Sequence, residues 1–190
     1  MATPFQLPSQ YTATIENPDL VLKCMWEQYC HDRLFHTDIF HMPLIAALSH
    51  HALHLVKYLG ILTETEDTEV QETRLVDTLS TIMSMLGRLN VKLVPLQSED
   101  IFTLDQYWHT YATIVAAVVK SMEHAQHTNA LDPVMPTALS HLYQHTASLL
   151  RASGDPIIYK KLMIRRSCIQ SRSIFSISLV ARFHRDCRGL

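Results

Sequence analysis

Histidine is concentrated in one part of this sequence. The chain of 190 residues contains 12 histidines, and six of them fall between residues 31 and 54. In the segment His50-His51-Ala52-Leu53-His54, the first and last histidines are four residues apart and therefore share one face of a helix. Two imidazoles one turn apart can hold a divalent transition metal, because each offers a neutral nitrogen donor.

A transition-metal site on this pair needs a third ligand from another element. Asp77 lies on the next predicted helix, so His50, His54 and Asp77 form the predicted metal site. His51 is then a candidate catalytic residue that carries a proton near neutral pH. The alternative is that these histidines are polar residues at a helix–helix seam, satisfied by hydrogen bonds. The zinc-protease motif His-Glu-x-x-His is absent, since no glutamate lies between the histidines.

The same helix face also carries basic residues. Lys57 follows the histidine pair by one turn, and a polar row on the next helix begins with Arg74. Without a metal, these side chains would form a basic pocket that contacts an anion directly. The predicted anion-binding residues are His50, His54, Lys57 and Arg74.

Five stretches with apolar residues at helical spacing must position these side chains. They cover roughly residues 17–33, 41–62, 68–91, 104–127 and 132–152. Gly60, near the end of the second stretch, is either a terminator or a site of close packing. Only four glycines and no Asn-Gly or Asp-Gly turn argue against a multi-stranded β fold. The sequence predicts an all-α fold, a single-domain antiparallel bundle of about five helices.

Charged residues are distributed unevenly along the chain. We predict an extended N-terminal arm at residues 1–16, the helical bundle at residues 17–154 and a basic C-terminal tail at residues 155–190. Residues 1–154 hold eight Lys+Arg against sixteen Asp+Glu, whereas residues 155–190 hold eight against two. This asymmetry favours contact of the tail with a polyanion or a membrane surface. The alternative is a tail under weak structural selection.

Hydropathy, the N-terminal residues and the cysteines indicate where in the cell the protein is expected. No apolar run reaches the roughly 20 residues needed to cross a bilayer, so no membrane span is predicted. The first ten residues lack a basic region followed by an apolar stretch, and we expect no secretory signal. The four cysteines include no Cys-x-x-Cys pair. We interpret them as reduced thiols of a cytoplasmic protein.

Three segments between residues 41 and 93 share their order with a known family. They are LSHHALHL at 48–55, RLVD at 74–77 and LGRLNVKL at 86–93. In length and helix order they resemble the MazG-type all-α nucleoside triphosphate pyrophosphohydrolases. In that family a Glu-Glu-x-x-Glu helix and a Glu-x-x-Asp helix gather Mg²⁺ ions that bind the triphosphate and activate water. The last segment resembles the family's usual helix exit.

The resemblance departs from the family at the metal ligands. Histidines stand at all three glutamate positions of the first motif, and Arg74 replaces the glutamate of the second. Only Asp77 remains. Mg²⁺ prefers oxygen ligands and takes imidazole poorly, so we do not expect the family's metal site here.

Three functions remain open, in this order of preference. The first is a MazG-like helical scaffold that binds a nucleotide, another anion or a partner, and that forms a homo-oligomer. The second is a metal-dependent nucleotide phosphohydrolase, that is, a hydrolase with a rebuilt His/Asp site. The third is a structural or interaction protein that contacts a polyanion through its basic tail.

Overall fold

The computed structural model of the chain describes residues 18–91, 93, 104–152 and 160–171. Over these residues the protein is all-α and contains no strand, which confirms the predicted class. The helices are α1 (Pro18–Phe35), α2 (Thr37–Phe40), α3 (Leu44–Glu64), α4 (Thr68–Leu89), α5 (Leu104–Thr128), α6 (Val134–Ala152) and α7 (residues 160–171).

The predicted number of helices is wrong, because the described residues form seven instead of about five. One addition, α2, is separated from α1 by His36, whose backbone is non-helical at φ −124° and ψ 47°. Pro43 separates it from α3, with φ −51° and ψ 145°. Proline disfavours helical backbone in the residue before it, so a helix cannot run through Met42 into α3.

Parts of the predicted domain layout lie outside the described residues. These parts are the N-terminal arm at residues 1–16, residues 17, 92, 94–103 and 153–154 of the bundle, and residues 155–159 and 172–190 of the tail. The boundaries of the three regions therefore stay predictions. The other additional helix, α7, falls inside the predicted tail.

α4 lies at the centre of the described helices. It packs against α1, α3 and α6, while α5 packs against α3 and α6. Eleven residues of α4 are buried, more than in any other helix whose buried residues are given. Leu79, Ile82 and Leu86 are among those with no exposed surface. This helix carries Arg74 and Asp77, so their positions are fixed by packing on several sides.

Local sequence sets both ends of α4. The side chain of Asp67 accepts hydrogen bonds from the backbone N–H groups of the second and third residues of the helix, at 2.9 and 3.3 Å. Such a cap satisfies donors that have no partner within a helix. At the other end Asn90 adopts the left-handed conformation, with φ 54° and ψ 39°. The next residue donates its N–H to the Leu86 carbonyl at 3.1 Å, which closes the helix.

Arg88 of α4 holds α2 in place. Its guanidinium donates hydrogen bonds to the carbonyl oxygens of Phe40 and, at 2.7 Å, of Met42. The guanidinium carbon also lies 5.6 Å from the centroid of the Phe40 ring. The Phe40 carbonyl ends α2 and the Met42 carbonyl lies two residues beyond it, so both would otherwise have no helical partner. Because α2 has no buried residue of its own, it depends on this contact for its position.

Arg166 docks α7 on α1. The side chain is buried, and its guanidinium donates to the Cys24 carbonyl at 2.9 Å, to Gln28 Oε1 at 3.0 Å and to Glu27 Oε2 at 3.0 Å. On the same helix Leu162 has no exposed surface. The described part of the predicted tail is therefore packed against the helical body.

α3 is the described helix that is long and apolar enough to cross a membrane, by length and composition alone. The core helix of a soluble protein passes the same test, and six residues of α3 are buried within this fold. One such helix is weak evidence, and the expected absence of a membrane span stays a prediction.

Replacing Arg166 should detach α7. We expect Arg166→Met to lower the free energy of unfolding by about 3 kcal/mol, because Glu27, Gln28 and a carbonyl lose a common donor. Urea denaturation measures the loss, and hydrogen exchange should show faster exchange at residues 160–171. Lys160→Met, at an exposed position of the same helix, is the matched control. Equal stability of the two variants would contradict the docking role.

Candidate functional site

α3 exposes the flank that carries the predicted anion ligands. Its buried face packs against α4 and α5, and consists of Ala47, Leu48, Ala52, Leu55, Tyr58 and Leu62. The helical period places His50, His54 and Lys57 beside that face and not within it. These side chains therefore reach the surface next to α4.

His54 is in contact with both of its neighbours on this flank. Its ring lies 4.7 Å from the His50 ring, centroid to centroid. Its Nδ1 lies 3.1 Å from the Tyr58 hydroxyl and 3.4 Å from the Lys57 ammonium nitrogen. Because an ammonium only donates, the contact with Lys57 requires Nδ1 to accept, which leaves the proton of neutral His54 on Nε2.

The electrostatic surroundings keep His54 neutral. Burial lowers its pKa most, and the positive charge of Lys57 and the nearby His50 lower it further. The carboxylate of Asp77 acts in the opposite direction. A histidine held in this way is ready to take a proton when a negative charge arrives beside it.

Asp77 forms the centre of the α4 side of the site. The residue is 6% exposed. Arg165 of α7 binds its carboxylate in a bidentate manner, through Nε at 2.6 Å and a terminal nitrogen at 2.9 Å. Arg74 donates a third hydrogen bond at 2.8 Å. One carboxylate thus faces two guanidinium groups, and the hydrogen bonds that Arg165 donates to Asp77 raise the pKa of this arginine.

Tyr58 connects the two sides. The Lys57 ammonium nitrogen lies 5.0 Å from the centroid of its ring, and the guanidinium carbon of Arg74 lies 5.9 Å from it. Both distances allow cation–π attraction. We call the resulting group the basic cluster. Its residues are His50, His54, Lys57, Tyr58, Arg74, Asp77 and Arg165.

The four predicted anion ligands all belong to the basic cluster, whereas the predicted metal ligands do not form a metal site. No group of three His, Cys, Asp or Glu side chains is placed to hold a metal ion in the described part of the chain. Both carboxylate oxygens of Asp77 accept hydrogen bonds from arginine, and His54 Nδ1 faces the ammonium group of Lys57. Fixed positive charge at both positions disfavours a cation, so this donor set does not fit the predicted divalent transition metal.

His51 borders the basic cluster without being one of its members. Its ring is 5.8 Å from that of His50. Burial lowers its pKa to about 4, and His50, His54, Arg88 and His36 contribute in the same direction. A group with this pKa remains neutral at pH 7, which is unsuitable for the predicted exchange of protons near neutral pH.

Two members of the basic cluster were not predicted. Tyr58 follows His54 by four residues, and that spacing is a signal that could have revealed it. Arg165 is 88 residues from Asp77 along the chain, and no local pattern relates the two. The charge asymmetry between the body and the tail was the one available sign that they attract each other.

Buried histidines should make the fold unstable in acid. Burial lowers the pKa of both His31 and His51 from an ordinary value of 6.5 to about 4. Below pH 6.5 the unfolded chain therefore binds more protons than the folded chain. We expect the free energy of unfolding to fall as pH drops from 6.5 to 4, and the loss to be complete below 4.

Urea denaturation at a series of pH values measures this loss. His51→Gln should remove part of the pH dependence, because one of the two groups no longer titrates. The control is His124→Gln, at an exposed position on α5. If the His51 variant keeps the full wild-type dependence, burial of this histidine does not cause the acid sensitivity.

Comparison of the sequence and the structure with known proteins identifies no relative of this chain. No protein-family model, curated protein or solved structure matches this chain. The resemblance of residues 41–93 to MazG-type pyrophosphohydrolases therefore stays a prediction.

Proposed function

We propose that this protein is a cytoplasmic, MazG-like antiparallel helical bundle that binds a phosphate-bearing anion at the basic cluster and that associates with itself. The supporting observation is the convergence of Lys57 and Arg74 on one tyrosine ring, at 5.0 and 5.9 Å from its centroid. A nucleotide is the ligand that the MazG resemblance favours.

The charge balance of the basic cluster supports an anion. Lys57, Arg74 and Arg165 carry three permanent positive charges, and Asp77 carries one negative charge. These four groups together give the cluster a net charge of about +2. Partial burial of these groups strengthens their attraction for an anion relative to bulk water.

Unused hydrogen-bond donors support a phosphate in particular. The side chain of Arg74 is 30% exposed and donates one hydrogen bond among the described residues, to Asp77, although a guanidinium carries five N–H donors. Lys57 is exposed and contacts a single ring nitrogen, although an ammonium can donate three hydrogen bonds. Phosphate oxygens accept several bonds at once and match both kinds of donor.

The second and third functions named from the sequence receive less support. The rebuilt metal site lacks a suitable donor set. Lys161, Arg165 and Arg166 of α7 form ion pairs with acidic residues of the body. Their charges are thereby partly neutralised, and contact of the remaining tail with a polyanion stays a prediction.

Removing Lys57 should weaken anion binding without disturbing the fold. We expect Lys57→Met to weaken binding of inorganic phosphate about tenfold, equivalent to about 1.4 kcal/mol, because an exposed permanent charge is lost. Isothermal titration at low salt measures the affinity, with ADP as a second probe. Lys120→Met, an exposed lysine of α5, is the matched control and should bind as the wild type does.

Two results would contradict the proposal. One is a wild-type protein that binds neither phosphate nor ADP at low salt. The other is equal weakening by the Lys57 and Lys120 variants, which would show only non-specific attraction to net charge.

Binding should also become tighter as the pH falls. An anion beside His54 offsets the effect of Lys57 and raises the pKa of this imidazole, so binding takes up a proton. We expect the phosphate affinity to increase from pH 8 to pH 6 when corrected for the charge state of phosphate itself. Titration with sulfate, whose charge is constant in this range, isolates the contribution of the protein. His54→Gln should remove this increase in affinity. If the affinity of the variant still increases as the pH falls, a group other than His54 takes up the proton.

A further inference from the structure

α3 has a second exposed face, on the side away from α4. Its members recur at alternating spacings of three and four residues, which is the spacing of a coiled-coil seam. We call this face the α3 stripe, and it consists of Ala46, Ser49, Leu53, Val56, Gly60 and Thr63. No member is charged. Leu53 is 69% exposed and Val56 is 44% exposed, so two large apolar side chains of the stripe face solvent.

Gly60 has no reason within the described fold to lack a side chain. It lies inside α3, and a Cβ at this position would meet no atom within 4 Å apart from those of its chain neighbours and of the adjacent backbone of its own helix. Glycine destabilises the interior of a helix relative to alanine. A helix tolerates it where another backbone approaches closely.

α5 widens the apolar surface beside the α3 stripe. Gln126 Nε2 donates a hydrogen bond to Ser49 Oγ at 3.0 Å, so this side of α5 lies next to the stripe. Val119 precedes Gln126 by seven residues and shares that side of the helix. It is 39% exposed. Ala112 and Ala116 continue this row, and Glu123, an exposed residue between Val119 and Gln126, adds one negative charge to this side of α5.

We propose that the α3 stripe docks against a second copy of this chain, with the two α3 helices antiparallel. A twofold axis between Leu53 and Val56 sets the large side chains against each other at the centre. Small residues then meet at both ends and let the backbones approach. The pairs are Leu53 with the partner's Val56, Ser49 with the partner's Gly60, and Ala46 with the partner's Thr63.

The α3 stripe is self-complementary, which favours a second copy of this chain over other binding partners. The stripe has the same sequence of small, large and small positions in both directions, which is what an isologous interface requires. It offers no charge to bind nucleic acid. Lys57, which flanks the stripe, has its ammonium 5.0 Å from the centroid of the Tyr58 ring and so points away from the seam. The two copies of this lysine therefore do not face each other across the axis.

The size of the surface suits a pair of copies. The stripe spans 18 residues of α3, which is about 27 Å. Together with α5, packed about 10 Å away, it forms a face roughly 20 Å wide. Two such faces would bury roughly 1,000 Å² or more in total, the lower limit of a specific interface. This inference rests on the self-association in the proposed function and is independent of phosphate binding.

Sedimentation velocity of the full chain over a dilution series tests the proposal. We expect a wild-type dimer, and we expect Leu53→Glu to raise the dissociation constant at least about 100-fold by placing two carboxylates in the seam. Leu34→Glu, at a site on α1 that is 68% exposed, is the matched control and should remain dimeric. Phosphate titration of the monomeric variant should be unchanged, which separates this proposal from the anion site.

Gly60→Leu provides a second test. A Cβ at this position meets no neighbour within 4 Å, and leucine favours a helix over glycine. We therefore expect no fall in the melting temperature of the monomer, whereas the dimer should dissociate about tenfold more readily. The proposal is overturned by a wild-type chain that is monomeric at every concentration. It is also overturned if Leu53→Glu dimerises as tightly as the wild type. A monomer that floats with phosphatidylcholine vesicles, and loses this behaviour in Leu53→Glu, would assign the stripe to a membrane surface instead.

Discussion

Much of the described structure depends on one buried carboxylate. Asp77 is 6% exposed, and a carboxylate removed from water must be compensated by positive charge and hydrogen bonds. Arg74 supplies them from the same helix, and Arg165 supplies them from α7. The same interaction thus docks the C-terminal helix, orients Arg74 towards Tyr58 and leaves the basic cluster with an excess of positive charge. The stability of the fold and its attraction for an anion have a common physical origin.

Other polar residues of α4 connect this helix to its neighbours. Thr78 donates to the Arg74 carbonyl and contacts the Tyr111 hydroxyl at 2.9 Å, which joins α4 to α5. In the last turn of the helix, Arg88 holds α2. Each of these groups has a specific partner, so burying it fixes the register of a neighbouring helix in a way that apolar contacts alone do not.

Sequence reasoning succeeded where the relevant interactions are local. The spacing of His50 and His54 correctly predicted that they are neighbours, since a helix determines that contact. Sequence reasoning failed for Asp77, because the principal partner of this residue is 88 residues away along the chain. We predicted that its carboxylate binds a metal, whereas in the structure it binds two arginines. Sequence reasoning also missed α2, which is stabilised by an arginine 46 to 48 residues distant. Long-range polar contacts are set by tertiary packing, which hydrophobic periodicity does not describe.

The docking of α7 on α1 has a consequence for synthesis. Arg166 contacts Cys24, Glu27 and Gln28 across 138 to 142 residues of chain. The ribosome therefore releases α1 long before its partner exists, and this side of the first helix stays exposed to water until 138 to 142 further residues have been made. Contacts of such large sequence separation form late and slow the approach to the native state. A nascent chain that is released early would contain the central helices but leave its first helix incompletely bound.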